Sequence, residues 1–577
     1  MSVSLRVYAN DDDVLLFWGV PAPIPGCRGF AVDRRTASPS GMVSDGFLLN
    51  RVGFASAAPP QPDATSHTQP STVWPFQRFS WTDHAPGAGN TVSYQVLPVV
   101  RDSSGALVTS TDEASEWSAP RSLAPGADPR FQAYFNRGFV ISQFMAHYLA
   151  EKHLTPKQFK VGIQSQDEQA IRTFLSGDLR TALLDQLQAA NSGGGQVHGA
   201  LFELDDDELI DALCTLGPRA HIVLANGSIS PKTGESTAAA RQRDENATAR
   251  AKLLASGVDV GEHDRFTSPG ALGHNKFLIR SDLSGAALTA WTGSTNWTAT
   301  GLCTQLNNGL LIDDPAIAQI YLDQWQRLRA AASVFPPALV DANSAAHPAE
   351  TSPGSPAVSV WFSRTHAGVD LAALKNVVDS ARRGILFLMF MPGDAGVLSY
   401  VRARIDDPSL YVRGVVSELP HGPGDESAVN VHLVNGAQST PATLDVIQPE
   451  GVATPFANFA AEVTHRQFLS NIGYAIVHSK VLVIDPFTDN ATVVTGSHNF
   501  SKSASDTNDE NFIVISGDRA LAEAYTVNIV AAYDHYRWRA FLSQDPSPFN
   551  GLSDDDTWMA PKLAASAADR DFFGVTA

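Results

Sequence analysis

The sequence predicts an all-β sandwich domain followed by two tandem α/β sandwich domains, and three observations support this fold class. Residues 1–125 contain short apolar runs separated by Gly, Pro, Ser and Asp clusters, with no helical stretch between them. After Pro125 amphipathic helices alternate with apolar strands, which is the pattern of α/β domains. This later region contains the same order of elements twice, on either side of a stretch rich in Pro, Ala and Ser.

The N-terminal region consists of runs such as 14–18 and 79–81, which favour β-branched and aromatic residues. Their number and spacing resemble a fibronectin-III-like or immunoglobulin-like sandwich of about 100 residues. The resemblance implies that Trp18 and Trp81 belong to the core. We expect residues 1–125 to form this domain, which offers a surface for a partner or protein contact.

The duplicated region is predicted to form one α/β domain at 126–335 and another at 357–577, with a linker at 336–356. Each copy has the order helix, strand, helix, strand, then a strand with histidine and lysine, a Gly-Ser turn and a terminal helix. In the first copy the first four elements are predicted at 179–190, 196–204, 206–216 and 220–225, and in the second at 371–383, 384–390, 396–405 and 410–416. The terminal helices are predicted at 315–331 and 519–542.

The composition of the chain limits the cellular location and the binding partners that we expect for the protein. The chain has 577 residues with 41 Lys and Arg against 60 Asp and Glu, a net charge of −19, which disfavours loose binding to nucleic acid or anionic lipid but allows a locally positive cleft. The N-terminus lacks a signal-peptide pattern and no apolar run is long enough for a membrane span. A cytoplasmic monomer is therefore expected, and export without a signal stays open.

Both copies carry a His-X-Lys motif and, further on, a Gly-Ser-X-Asn turn. The asparagine follows the histidine by 22 residues in the first copy and by 21 in the second. The motif side chains are His274, Lys276, Ser294 and Asn296 in the first copy and His478, Lys480, Ser497 and Asn499 in the second. Residues two apart in a strand point the same way, so each motif places an imidazole and an ammonium on one face.

This set of side chains suits the cleavage of a phosphodiester. One imidazole attacks phosphorus and forms a phosphohistidine, while the other donates a proton to the leaving oxygen and later activates water or an alcohol. The lysines and the polar turn groups neutralise the charge on the phosphoryl oxygens, which elsewhere is the work of metal ions. No carboxylate cluster accompanies the histidines, and the spacing of Cys27, Cys214 and Cys303 fits no zinc site, so no metal or other cofactor is expected.

The paired motifs resemble the phospholipase D superfamily, whose pattern is His-X-Lys, four residues, Asp, and then Gly-Ser/Gly-X-Asn, usually in two copies. The resemblance covers residues 128–544 and implies two phospholipase-D-like domains that form one active site. Asp485 has the family spacing in the second copy, where it is expected to be a structural support, whereas Ser281 takes that place in the first.

The two copies differ after their asparagines. In relatives a carboxylate at this point orients the histidine, so the resemblance implies that Glu510 supports His478. Asn308 would support His274 more weakly. His274 is expected to be the nucleophile, as the first histidine commonly is in relatives, although this imbalance also allows the reverse assignment.

The resemblance leaves the substrate open. We favour a hydrolase or transferase that acts on phospholipid head groups, with a DNA or RNA nuclease as the alternative. In a third hypothesis the chain is chiefly a binding protein that acts through its β-domain. The polar stretch 417–467, with His421, His432 and His465, is predicted to be either a lid over the substrate or a surface loop.

Overall fold

A computed structural model shows the fold class that the sequence predicts, an all-β region followed by a duplicated α/β region. The chain forms two compact units, of which the first contains Met1–Ala127, Val434–Asp445 and Gln544–Ala577, and the second Asp128–Leu433 and Val446–Ser543. The structure describes residues 2–56, 68–84, 86–123, 130–138, 152, 158, 162–228, 232–260, 265, 270–349, 354–393, 395–404, 407, 409–417, 444–447, 477–542 and 551–575. The stretch 417–467 therefore lies outside the described residues, apart from Ser417 and four residues of a strand.

The N-terminal part of the first unit is built from ten strands in small antiparallel sheets. They are β1 (Ser4–Ala9), β2 (Asp13–Gly19), β3 (Cys27–Ala37), β4 (Val43–Phe47), β5 (Leu49–Asn50), β6 (Gln69–Pro70), β7 (Ser80–His84), β8 (Thr91–Arg101), β9 (Leu107–Thr109) and β10 (Arg121–Ser122). One sheet has the order β1-β2-β7 and another the order β10-β8-β3-β4, with β9 also paired to β8. Their inner faces bury an aromatic core that includes Trp18 and Phe30, while Trp81 packs against Phe76.

The first half of the second unit contains a six-stranded mixed sheet. Its strands are β11 (Phe131–Phe135), β12 (Gln196–Leu201), β13 (Ala220–Leu224), β14 (Lys276–Ser281), β15 (Ala287–Gly293) and β16 (Asn308–Ile312). Its helices are α1 (Gln169–Ser192), α2 (Asp207–Leu216), α3 (Thr237–Arg241), α4 (Ala247–Ala255), α5 (Ala299–Cys303) and α6 (Pro315–Ala331).

The second half repeats this arrangement. It contains α7 (Pro337–Asn343), β17 (His347–Ala349), β18 (Ala357–Ser363), α8 (Val369–Asp379), β19 (Gly384–Met389), α9 (Val397–Arg402), β20 (Tyr411–Val416), β21 (Leu444–Ile447), β22 (Val481–Ile484), β23 (Thr492–Gly496), α10 (Lys502–Asp506), β24 (Glu510–Ser516) and α11 (Arg519–Leu542). The order β11-β16-β15-β14-β12-β13 of the first sheet reappears as β18-β24-β23-β22-β19-β20 in the second, which confirms the duplication.

Local signals in the sequence explain where the elements begin and end. The side chain of Asp206 accepts a hydrogen bond from Leu209 N at the start of α2, and Asp314 accepts two at the start of α6, where Pro315 occupies the first turn. Strand β19 is a continuous apolar run that is buried on both faces, because helices cover the mixed sheet. Strand β12 is buried after its first residue, although it contains His198.

Two segments differ from the domain boundaries that the sequence predicts. The predicted linker 336–356 contains helix α7 and strand β17, which pairs with β18. Residues 551–575, predicted to end the second α/β domain, belong to the first unit, where they form α12 (Met559–Ala565) and α13 (Ala567–Phe572). The reason is the burial of their aromatic side chains in the first unit. Trp558 lies in its core and donates a hydrogen bond to Cys27 O, and Phe573 stacks on Phe17 with ring centroids 3.9 Å apart.

Within the part of the chain that the structure describes, none of the helices combines the length and apolar content that a bilayer crossing requires. The fibronectin-III likeness of the N-terminal strands and the remaining domain boundaries stay predictions.

A buried ion pair joins the two halves of the second unit. The guanidinium of Arg265, in the first half, contacts both carboxylate oxygens of Asp509, and both side chains are almost fully buried. Arg265 also donates to the carbonyl oxygens of Ala332 and Val334 after α6, and it lies over the ring of Phe335. Asp509 directly precedes β24, so this pair fixes the start of that strand against the first half.

We expect Arg265→Met to lower the free energy of unfolding by about 3–5 kcal/mol, because it leaves the Asp509 carboxylate buried without its partner. Arg519→Met is the control, since Arg519 lies 3.8 Å from Asp489 at the surface, and the loss should stay below about 1 kcal/mol. Urea denaturation followed by tryptophan fluorescence measures both, and equal small effects would contradict the structural importance of the pair.

Candidate active site

The two His-X-Lys motifs lie at equivalent places in the two halves. Lys276 is the first residue of β14, and Lys480 directly precedes β22, the matching strand. In each half the neighbouring strand, β12 or β19, is followed by a phenylalanine, Phe202 or Phe390, whose ring packs on the motif histidine with centroids 4.7 and 4.8 Å apart. The motif residues are thus held on buried strands in the centre of each sheet.

Each motif histidine is bound through its backbone to the opposite half. His274 N donates to Asp509 O at 2.8 Å, and His478 N donates to Leu306 O at 2.9 Å. These bonds belong to two short parallel bridges, one between Gly273 and Asp509 and the other between Leu306 and Val477. The bridges place the two motifs on either side of one interface, so the structure brings both histidines and both lysines into one site.

The imidazoles are also supported by the opposite half. The Nδ1 atom of His274 lies 3.3 Å from the Glu510 carboxylate, and Nδ1 of His478 lies 2.9 Å from Oδ1 of Asn307. The prediction that Glu510 supports His478 and Asn308 supports His274 is therefore wrong in both parts. The reason is the interface itself, which turns the end of each sheet toward the histidine of the other half.

The hydrogen bonds define the ring tautomers. Asn307 Nδ2 donates to Gly301 O at 2.8 Å, so its Oδ1 faces His478 and accepts from Nδ1–H of that ring. The Glu510 carboxylate lies 3.3 Å from Nδ1 of His274, and its charge favours a proton on that nitrogen. Both rings therefore carry their proton on Nδ1, which leaves Nε2 as the nitrogen that can attack or accept a proton.

Burial and neighbouring charges lower the pKa of both histidines. Burial and the Lys276 ammonium lower the pKa of His274 to about 4, although the Glu510 carboxylate opposes them. The pKa of His478 is held well below its usual value by burial and by the positive charges of Lys480 and Lys276. Both imidazoles are therefore neutral at neutral pH when no anion is present.

The two lysines are similarly perturbed. Burial lowers the pKa of Lys276 to about 7, against the opposing effect of the Glu510 and Glu203 carboxylates. Burial and the Lys276 charge lower the pKa of Lys480. Each ammonium donates to the carbonyl oxygen of its own motif histidine and lies under 5 Å from the ring of Phe202 or Phe390. The site is thus a buried cluster of basic groups with little negative charge to balance it.

Glu510 differs from these groups because it stays ionised. Burial would raise its pKa, but His274 and the hydrogen bond from Asn508 Nδ2 outweigh burial and lower it to about 2. Its Oε2 also accepts from Asn499 N at 3.1 Å. Glu510 therefore brings a permanent negative charge to the first motif and fixes the turn of the second.

The serines of the Gly-Ser-X-Asn turns hold the turn. Ser294 Oγ accepts from Asn308 N at 3.0 Å and donates to Asn307 Oδ1 at 2.7 Å, and Ser497 Oγ accepts from Asn511 N at 3.0 Å. The structure thus places Ser294 one hydrogen bond away from the group that orients His478, in a supporting position.

The asparagines are closer to the cluster. Asn296 Nδ2 donates to Glu203 Oε2 at 2.6 Å, and the Oδ1 atoms of Asn296 and Asn499 are buried without a hydrogen-bond partner among the described residues. These amides are therefore available to a ligand in the site.

Asp485 is not brought into the site. It follows the far end of β22, where its carboxylate accepts hydrogen bonds from the backbone N–H groups of Arg382, Arg383 and Gly384 at 2.7–2.9 Å. This position fits the structural role expected for Asp485, because the carboxylate joins the end of α8 to the start of β19.

Two residues near the site, Asn307 and Glu203, were not predicted from the sequence. Asn307 follows Asn296 by 11 residues, as Glu510 follows Asn499, so counting from the turn would have identified it in place of Asn308. Glu203 carries no motif, and its only signal is an acidic residue at the end of a buried strand. Within the described ranges, no group of three or more His, Cys, Asp or Glu side chains is arranged to bind a metal ion.

Comparison with known proteins finds one matching family model. The model of the cardiolipin synthase, phospholipase-D-like domain matches residues 170–329 and 430–530. No curated protein sequence matches the chain.

Among solved structures, phosphatidylserine synthase from Haemophilus influenzae Rd KW20 is 11% identical over 70% of this chain and 94% of its own, with a TM-score of 0.39. The phospholipase D family member Nuc from Salmonella typhimurium is 20% identical over 31% of this chain and 95% of its own, with a TM-score of 0.19. Yeast tyrosyl-DNA phosphodiesterase 1 is 11% identical over 55% of this chain and 82% of its own, with a TM-score of 0.29. The family-model match over residues 170–329 and 430–530 and the two His-X-Lys motifs identify the duplicated region of the chain as phospholipase-D-like.

Proposed function

We propose that the protein is a metal-independent phosphodiesterase of the phospholipase D type, which hydrolyses or transfers phospholipid head groups through a phosphohistidine. The observation that carries the proposal is the cluster of two histidines and two lysines with lowered pKa values around one interface. Basic groups whose pKa values are lowered by burial and by one another's charge bind an anion well, because its negative charge removes their mutual repulsion. A phosphodiester supplies that charge.

His274 is the nucleophile in this proposal. Its Nδ1 faces the Glu510 carboxylate, which keeps Nε2 unprotonated and stabilises the positive charge that the ring gains on attack. Nε2 forms a bond to phosphorus while the bond from phosphorus to the leaving oxygen breaks. His478 Nε2 gives its proton to that oxygen, and in the second step it takes a proton from water or an alcohol as the nitrogen–phosphorus bond breaks.

The bound phosphodiester makes His478 able to act as the acid. In the free protein Lys480 and Lys276 lower its pKa, so the ring is neutral. The negative charge of the substrate offsets both ammonium groups and raises the pKa of His478 on binding. Asn307, being uncharged, supports the ring without competing for the proton. Each histidine thus has the support that its role requires, a carboxylate beside His274 and an uncharged amide beside His478.

The first test of the proposal uses the purified protein with a strong chelator present. We expect it to release head groups and phosphatidic acid from mixed phosphatidylcholine and phosphatidylethanolamine vesicles, and His478→Ala to lower turnover by at least about 100-fold. Parallel reactions with single- and double-stranded DNA test the nuclease alternative. Cleaved DNA with intact lipid would make the protein a nuclease, and activity that returns only with added metal would contradict the mechanism.

The second prediction concerns the covalent intermediate. With a 4-nitrophenyl phosphodiester the leaving group needs no acid, so we expect His478→Ala to release one equivalent of 4-nitrophenolate in a burst and then stall. Mass spectrometry of peptides from a neutral quench should find the phosphoryl group on His274. His274→Ala should show no burst. A burst in His274→Ala, with the group on His478, would reverse the two roles.

The third prediction concerns pH. Glu510→Gln keeps the size and an acceptor but removes the charge that raises the pKa values of His274 and Lys276. Both pKa values should fall further. The basic limb of the pH profile of kcat/KM, which the Lys276 ammonium sets near pH 7, should therefore move to lower pH. The maximal rate should decrease by about 10²–10⁴-fold. Glu208→Gln, a change beside Arg180, is the control and should leave the profile in place. An unchanged limb in Glu510→Gln would contradict the coupling.

A further inference from the structure

Besides the pair Glu510 and Asn307, the two halves of the site differ at a second equivalent position. Phe202 and Phe390 follow β12 and β19 and cover equivalent lysines. The next residue is Glu203 in the first half, whereas the register of the same strands places Met391 in the second. A carboxylate therefore lies at one end of the site, where the symmetric position has a thioether that is 38% exposed.

Glu203 is in direct contact with the machinery of the site. Its Oε2 accepts from Asn296 Nδ2 at 2.6 Å, and its charge interacts with the Lys276 ammonium. Asn296 is only 5% exposed, and its Oδ1 has no hydrogen-bond partner among the described residues. Glu203 itself is partly exposed, so its carboxylate lies at the boundary between the basic cluster and the surface.

Other acidic groups extend this end of the site. Glu245 and Asp205, both at the surface, are close enough to Glu203 to raise its pKa, although burial is the larger cause and Lys276 opposes it. Glu245 accepts a hydrogen bond from Ser228 N at 2.8 Å, and Asp205 accepts one from Ala299 N at 2.9 Å. Both are thus held in position by backbone groups beside Glu203.

Binding of a phosphodiester changes the charge balance at Glu203. Burial lowers the pKa of Lys276 in the free protein, and the negative charges of Glu510 and Glu203 oppose that effect. When a phosphate binds the Lys276 ammonium, the negative charge of the Glu203 carboxylate has less compensation. A cation on the substrate restores the balance, whereas a second phosphate, as in a nucleic acid, increases the repulsion.

We propose that Glu203 is a specificity-determining residue, which selects phosphodiesters that carry an ammonium group on one arm over those with a neutral or anionic arm. The inference rests on the proposed function and names its substrate class. The ammonium lies against the Glu203 carboxylate, and the phosphate lies between the two motif histidines. Glu245 and Asp205 add a longer-range attraction for the same cation.

Binding tests the inference separately from catalysis. Phosphocholine and 3,3-dimethylbutyl phosphate have the same shape, but the second has carbon in place of the charged nitrogen. We expect the wild-type protein to bind phosphocholine about fivefold more tightly in titration calorimetry, the effect of one partly exposed charge pair. Glu203→Gln keeps the acceptor for Asn296 and should reduce the ratio to about one, because its effect on the phosphate is common to both ligands whereas its effect on the ammonium is not.

Asp282→Asn is the matched control, because it removes one charge from the exposed turn between β14 and β15 and should preserve the ratio. Equal affinities in the wild-type protein, a ratio that Glu203→Gln leaves unchanged, or an equal loss for both ligands would overturn the inference. The 4-nitrophenyl esters of the two ligands report on the proposed function, since their cleavage depends on His274 and His478. Selective binding without cleavage would support Glu203 and contradict the proposed reaction.

Discussion

The structure depends on the exchange of hydrogen bonds between the two α/β halves. Each motif histidine receives its backbone partner and its side-chain support from the half to which it does not belong. The same exchange continues beneath the site, where Thr292 Oγ1 donates to Asn511 Oδ1 and Asn308 Nδ2 donates to Thr495 Oγ1, both at 2.7 Å. Because these groups are buried, separating the halves would leave them unsatisfied, so the interface and the site form together. A single chain therefore brings both motifs into one site.

This exchange makes it possible to bury several basic side chains together. An isolated ammonium or imidazolium would be expelled from such a position, or would lose its proton, because water no longer stabilises its charge. The structure compensates in three ways: Lys276 and Lys480 donate to carbonyl oxygens, aromatic rings face the ammonium groups, and Glu510 adds a full negative charge. The compensation is incomplete, as the lowered pKa values indicate. The remaining imbalance disfavours the free protein and favours an anion, so the same electrostatic property that weakens the fold strengthens substrate binding.

The sequence predicts the parts of this arrangement that depend on local pattern. The terminal helices were predicted at their observed bounds, because capping residues and apolar periodicity are encoded locally. The pairing of supports was not predictable in this way, since His478 and Asn307 are 171 residues apart and meet only through the interface. The packing of α12 and α13 in the first unit was not predictable for a similar reason, because their apolar residues do not identify the surface that they cover. Glu203 has no motif partner, so only the folded position distinguishes it from a surface acid.

The duplication gives two nearly equal motifs, whereas the proposed reaction gives its two histidines different tasks. Two matched histidines would attack and protonate with equal ease, and each would compete with the other for the same proton. The structure breaks this equality with uncharged residues as well as charged ones: Asn307 stands where symmetry would place a second Glu510, and Met391 where it would place a second Glu203. Both carboxylates consequently act on the first motif, Glu510 on His274 and Lys276 and Glu203 on Lys276, whereas His478 faces an amide and the two lysines. In the proposed reaction, these two differences outside the motifs give the two histidines different roles, although the motifs themselves carry the same chemistry.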